Sequence, residues 1–271
     1  MRVATFNVNG IRAATRRGFS DWLERTAPDI LALQEVRCPE AQLPDVFSDL
    51  HFCYHQGNLA GRNGVALLTR EKPTAVRTGF GHSSDTEGRY IEIDLPGLRV
   101  ASLYLPKGGV LDEDEASAAR YHRKMDFMAA FIDFVEQSAN NALADGLEYL
   151  VMGDFNIAHT KNDLKNWRGN QTSDGFLPEE REWFTKLLQL TPAGSDRPIV
   201  DVVRQLNPDA AGPYSWWTWR GQAFMNDAGW RIDYQIATPA LAERATRGWT
   251  DKELTYESRI SDHAPVLVDY S

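Results

Sequence analysis

Short apolar runs punctuate the chain. Ile30-Leu31-Ala32-Leu33, Val65-Ala66-Leu67-Leu68, Val100 to Tyr104, Tyr149-Leu150-Val151-Met152, Ile232 to Ile236 and Ala264 to Val268 are each four or five residues long and flanked by polar or turn-forming positions. Those dimensions suit buried strands better than helices. Ile91, Ile93 and Leu95 alternate with Glu92 and Asp94, the period of a half-exposed strand. Between about Ala116 and Gln137 the rhythm changes: Met125, Met128, Phe131, Ile132 and Val135 recur at spacings of three and four. This predicts a helix with one face in the core. A second helix is predicted to start at Pro178, where Glu179, Glu180 and Glu182 complement the helix dipole and Lys186 follows further along. No Ser/Gly/Pro-rich linker, repeat or low-complexity tract divides the series, so one α/β domain over residues 1–271 is expected.

Composition supports a globular protein. Of the 271 residues 42% are hydrophobic and 25% charged, which favours a sizeable core over disorder or a membrane protein. No apolar run approaches the roughly 18 residues of a spanning helix, and the N-terminus begins with the strand-like Arg2-Val3-Ala4-Thr5-Phe6-Asn7 instead of a signal pattern. A cytoplasmic location without membrane association is expected. The two cysteines, Cys38 and Cys53, have no metal-binding or redox spacing, so reduced structural thiols are expected and cysteine catalysis is not. A formal net charge of −9 argues against a protein that coats nucleic acid non-specifically. Carboxylates that bind metal ions, however, count as negative while creating a site that accepts phosphate.

Several strand-like runs end in polar residues. Tyr149 to Met152 passes into Gly153-Asp154-Phe155-Asn156, and side chains two apart on an extended chain face one side, so Asp154 and Asn156 can converge. The pair offers an anionic oxygen for a metal or water and an amide for phosphate; the alternative is a strand end followed by an Asx turn. Asn7 and Asn9 follow one run and Gln34-Glu35 another, and their oxygens suit a hard ion such as Mg²⁺, although loop-capping roles are equally ordinary for such dipeptides. Asp233 within Ile232 to Ile236 requires a partner. His263 of Ser261-Asp262-His263 is a candidate, its tautomer fixed by the carboxylate, with a Ser, Arg or backbone partner as the alternative. Trp216, Trp217 and Trp219 cannot all face one side of a strand; with Trp230, Arg220 and Arg231 they combine core packing with surfaces suited to stacking on nucleic acid.

In order along the chain, Phe6-Asn7-Val8-Asn9-Gly10-Ile11-Arg12-Ala13, Pro28 to Glu35, Leu103-Tyr104-Leu105-Pro106, Gly153 to His159, Gly229-Trp230-Arg231-Ile232-Asp233-Tyr234 and Ser261-Asp262-His263 resemble the exonuclease III/AP endonuclease family of the wider endonuclease/exonuclease/phosphatase superfamily. The resemblance implies a four-layer α/β sandwich of the DNase I type, two packed mixed β-sheets flanked by helices. It also implies hydrolysis 5′ to abasic nucleotides with Mg²⁺, or Mn²⁺ as an alternative, and 3′-exonuclease and 3′-phosphatase or phosphodiesterase activity. Its implied partner is double-stranded DNA with abasic or 3′-blocked lesions, met by a monomer.

By the same resemblance, Asn7, Glu35, Asp154, Asn156 and Asp262 are metal-site residues, and Tyr104, Asp154, Asn156, Asp233 and His263 are catalytic: Tyr104 and Asn156 meet the phosphate, Asp154 orients or activates water and Asp233 orients His263. Trp216, Trp230 and Ile232 match the pocket for a base-free sugar, with Trp216 in place of the family's usual Phe. Lys107, Lys161, Arg168 and Arg220 are expected against DNA phosphates. Asn9 stands where some members carry Asp, leaving one charge fewer at the metal site. Four acids between Leu111 and Glu115 are expected to point away from DNA. The rival readings are a phosphoinositide or sphingolipid phosphodiesterase and a catalytically silent DNA-binding protein.

Overall fold

The architecture comes from a computed structural model of the chain that describes residues 1–271 except 48 and 60. In chain order its first half contains β1 (Arg2–Asn7), α1 (Ile11–Arg16), α2 (Phe19–Thr26), β2 (Ile30–Gln34), β3 (His51–His55), β4 (Val65–Thr69), β5 (Ala75–Thr78), β6 (Tyr90–Leu95) and β7 (Leu98–Tyr104). The second half contains α3 (Glu115–Ala144), β8 (Glu148–Asp154), α4 (Pro178–Leu187), β9 (Val200–Asp201), α5 (Val202–Leu206), β10 (Asp233–Ala237), α6 (Pro239–Glu243), β11 (Ala245–Thr250) and β12 (Val266–Tyr270).

The strands form two sheets, ordered β11-β12-β1-β2-β4-β3 and β5-β6-β7-β8-β10-β9. Each is mixed in the same way: one central parallel pair, β1 with β2 or β7 with β8, is extended on both sides by antiparallel strands. The continuous apolar runs follow from burial on both faces. In β1, Val3 points between the sheets while Ala4 and Phe6 point toward α1 and α2. In β8, Leu150 and Met152 point between the sheets while Tyr149 and Val151 meet α3 and α4. Helix, sheet, sheet and helix therefore stack as four layers, as the resemblance implies.

The helix predicted from about Ala116 to Gln137 runs from Glu115 to Ala144, because Ala139 and Ala142 continue the buried stripe. Asp114 caps it by accepting the Ser117 N–H at 2.6 Å. The α4 start at Pro178 agrees with the sequence. The alternation in β6 misleads: Glu92 is buried, because α3 covers that face and Tyr90 and Ser138 donate their hydroxyls to its carboxylate. Both cysteines are free, and burial pushes their thiols above the usual range. Among the described residues no helix is long and apolar enough to cross a membrane.

Candidate active site at the converging strand ends

The site forms where strands from both sheets stop. The register places Tyr104 beside Asp154 across β7 and β8, and Asp233 beside Asp154 across β10 and β8. The facing sheet brings Asn7 from the end of β1, Glu35 just after β2 and His263 just before β12. Asn9, Glu35 and Asn156 have positive φ of 46°, 49° and 50°, so the backbone bends sharply as it leaves the strands. Such bends are uncommon outside glycine and concentrate where a site over-determines the backbone.

Glu35, Asp154 and His263 each present a ligand atom within 4.8 Å of the others. Asn7 lies buried behind them and donates its side-chain NH₂ to Glu35 Oε1 at 2.9 Å and to Asp154 Oδ2 at 2.8 Å. Its side-chain Oδ1 accepts the Asn9 N–H at 3.0 Å. In this arrangement Asn7 faces the two carboxylates with its amide nitrogen and thereby orders them. Asp154 Oδ1 accepts the backbone N–H of Asn156 at 2.8 Å, and Asn156 Nδ2 donates to Leu105 O at 2.8 Å. One Asn156 amide hydrogen is left for another acceptor. Asp262 accepts from Asn9 Nδ2 at 2.8 Å and from Trp216 Nε1 at 3.1 Å.

His263 and Asp233 are paired as expected, with Nδ1 2.8 Å from Asp233 Oδ2 and Nε2 3.7 Å from Asp154 Oδ2. Burial pulls the His263 imidazolium down, but Asp233 and then Asp154 outweigh it and push its pKa up to about 10. Burial pushes the Asp154 carboxyl up to about 7 against the pull of His263, with Asp233 and Glu35 adding to the rise. Burial also drives the Tyr104 hydroxyl well above its usual range, helped by Glu35 and Asp154, so it remains a donor. The arrangement offers a cationic donor, a carboxylate able to exchange a proton near neutrality, and neutral donors around one point.

A cleft of about 250 Å³ opens over these groups. Its walls include Trp216, Trp230 and Ile232, with Trp216 and Trp230 edge to face at 6.2 Å. Trp217 turns the other way and packs against Phe224, while Trp219 lies beneath the Arg259 guanidinium at 4.1 Å. The crowded tryptophans are thus shared between cleft, core and rim. Lys107 is exposed on the cleft wall. Lys161, Arg168 and Arg220 are exposed but lie outside the cleft lining, Arg168 resting on Trp167 at 4.5 Å.

The acidic run lies beside the cleft. Asp114 caps α3 and Glu113 accepts from Ser117, but Asp112 and Glu113 line a groove that shares Lys107 and Asp174 with the cleft. It borders the site because helix capping holds the run at the start of α3. The sequence reading also missed Arg37, ion-paired to Glu35, and Asp174 and Gly175 on the cleft wall. Arg37 is signalled only by lying two positions beyond Glu35; Asp174 and Gly175 carry no strand-end pattern.

Known proteins share the sequence and the fold of this chain over nearly its whole length. Residues 4–263 match the model of the Endonuclease/Exonuclease/phosphatase family. The chain is 34% identical to the DNA repair nuclease APEX1 of Danio rerio, over 99% of this chain and 81% of that protein. It is 31% identical to an exodeoxyribonuclease of Bacillus subtilis, over 98% of each. Among solved structures, an AP endonuclease from Archaeoglobus fulgidus superposes with a TM-score of 0.86 at 27% identity, covering 100% of this chain and 99% of that one. A 3′-5′ exonuclease from Neisseria meningitidis gives 0.85 at 28% identity and covers 100% of both.

Proposed function

Since this chain belongs to the endonuclease/exonuclease/phosphatase family, we propose that it is a metal-dependent DNA-repair hydrolase cleaving the phosphodiester 5′ to abasic nucleotides. One observation carries the reading: Glu35, Asp154 and His263 converge beneath a small aromatic cleft. The same cleft suits phosphate esters at blocked 3′ ends, so 3′-exonuclease and 3′-phosphatase or phosphodiesterase activities belong to the proposal. A single domain over residues 1–271, acting as a cytoplasmic monomer on double-stranded DNA, is part of it.

The oxygen-rich donor set fits Mg²⁺, or Mn²⁺, better than a soft metal. Glu35, with Asp154, Asn156 and Asp262 around it, would hold the ion, and Asn7 would join them with its amide turned so that Oδ1 faces the carboxylates. When bound, such an ion neutralises charge on the phosphate and leaving oxygen. Asp154 orients the attacking water and is poised to accept its proton. His263, held by Asp233, donates from Nε2 to a non-bridging phosphate oxygen, with Tyr104 and the free Asn156 amide hydrogen as further donors. Trp216, Trp230 and Ile232 admit a flipped-out sugar that lacks a base and crowd a complete nucleotide. Lys107, Lys161, Arg168 and Arg220 meet backbone phosphates along the duplex.

The test is incision of a duplex carrying one abasic analogue, with and without EDTA, beside a 3′-phosphorylated duplex and a soluble inositol polyphosphate. Metal-dependent incision of the abasic strand is expected, with Asp154→Ala abolishing it while retaining duplex binding. Turnover of the inositol polyphosphate alone would replace the reading with a lipid-signalling phosphodiesterase. Binding without any turnover would indicate a silent DNA-binding protein.

A further inference from the structure

Behind the cleft wall lies a charged side chain that plays no part in the reaction described above. Lys124, on the inward face of α3, is fully buried. Its ammonium donates to Asn156 O at 2.9 Å, Asp174 Oδ1 at 3.2 Å and Glu180 Oε1 at 2.5 Å. An ammonium has three hydrogens, and all three are used. Glu180 is fully buried too, and its other oxygen accepts the Leu177 N–H at 2.9 Å at the start of α4.

One nitrogen therefore gathers the bend after β8, the Asp174-Gly175 turn and the first turn of α4. The Lys107-Gly108 segment packs on the same point: a Cβ on Gly108 would lie 2.5 Å from the Asp174 carboxylate and 2.7 Å from Lys124 Cδ. The Asp174-Gly175 turn is tied to the catalytic bend a second time, by the Ala158 N–H donating to Gly175 O at 2.8 Å. Asp174, Gly175 and Trp230 stand together on the cleft wall.

A lysine–glutamate pair in the interior is no better for stability than well-packed apolar residues, so the pair itself does not account for the lysine. Its third contact does. Asn156 is a non-glycine residue at φ 50°, and its carbonyl is turned toward the same point as the Asp174 and Glu180 carboxylates. Without a cation, three electronegative oxygens would face one another and the bend would open.

We infer that Lys124 is a positioning residue: by fixing the Asn156 carbonyl and the Asp174-Gly175 turn, its ammonium sets where the Asn156 amide and the adjoining cleft wall stand. The inference rests on the proposed role of Asn156 as a phosphate contact.

The test uses the full chain as Lys124→Met and as Lys124→Met with Glu180→Gln. The second variant removes the uncompensated carboxylate that could prevent the first from folding. Three quantities are measured on each: kcat on the abasic duplex, duplex Kd in EDTA, and hydrogen exchange of peptides covering 153–158 and 172–177. With a 1 Å displacement of a positioned group as the guide, kcat falls on the order of 100-fold. Duplex affinity is retained, and exchange rises in those two segments while the central strands stay protected. Wild-type kcat per folded molecule, or unchanged exchange at 153–158, overturns the inference. A wild-type enzyme that incised nothing would remove the proposed function, whereas the exchange measurement would still decide whether Lys124 holds the bend.

Discussion

The buried arginine of the Gly229-Trp230-Arg231-Ile232-Asp233-Tyr234 run offers a measurable link between charge, stability and the loop that follows the catalytic strand. Arg231 donates to Asp163 Oδ1 at 2.7 Å and to both Asp201 oxygens at 3.1 and 2.7 Å, and its guanidinium lies over Tyr234 at 4.4 Å. Arg204 also holds Asp163, so Arg231→Met leaves Asp163 with one guanidinium and the buried Asp201 with none, only the Arg204 backbone N–H still reaching it. Removing one partner from such a network costs about 3–5 kcal/mol. For a chain of this size that lowers the Tm by about 10 °C.

Burial would raise the Asp163 carboxyl, but Arg231 and then Arg204 hold it at about 2. Its folded pKa is therefore depressed below the unfolded value. That stabilisation is complete above about pH 4, is lost as the pH falls toward 2, and amounts to about 2 kcal/mol. In Arg231→Met the depression shrinks, so the stability gap between wild type and variant narrows in acid. Urea denaturation at neutral pH and again near pH 3 measures both effects. A destabilisation below about 1 kcal/mol at neutral pH, less than the buried network implies, or a gap that widens in acid, would refute the reasoning.

Asp233→Asn removes the main charge that keeps His263 cationic; kcat is expected to fall about 10²- to 10³-fold, the loss typical of one preorganised donor, and single-turnover incision reads it directly. Glu35→Ala removes one of the anionic oxygens that meet at the cleft floor, so the Mg²⁺ concentration giving half-maximal incision is expected to rise; an unchanged requirement contradicts its metal role. Gly175 has φ +84°, and a Cβ there would sit 3.1 Å from Asn156 O and 3.4 Å from the Trp230 ring. Gly175→Val is expected to strain the turn and crowd the cleft, cutting abasic incision while leaving duplex affinity in EDTA intact; equal activity would show that the turn yields without cost.

Sequence by itself determined the inner strands of both sheets, the two longest helices and the residues at the strand ends, but not the edge strands β3, β5, β9 and β11. Runs buried on both faces are continuous in one dimension, and polar residues that terminate them stand out against the apolar background. Asp154, Asn156, Glu35, Asp233 and His263 were therefore legible as candidates, and the order of six motifs pointed to the family. Tertiary structure decided what each one touches. Pairing of β1 with β2, β7 with β8 and β10 with β8 brings together residues far apart in the chain, and the packing of one sheet on the other lets Asn7 donate to both Glu35 and Asp154. It also turned the alternating β6 into a buried strand, because α3 supplies hydroxyl and apolar cover that no local pattern announces. Lys124 shows the same limit most clearly: within its helix it reads as an ordinary solvated charge, and its burial exists only because three distant acceptors converge on its ammonium.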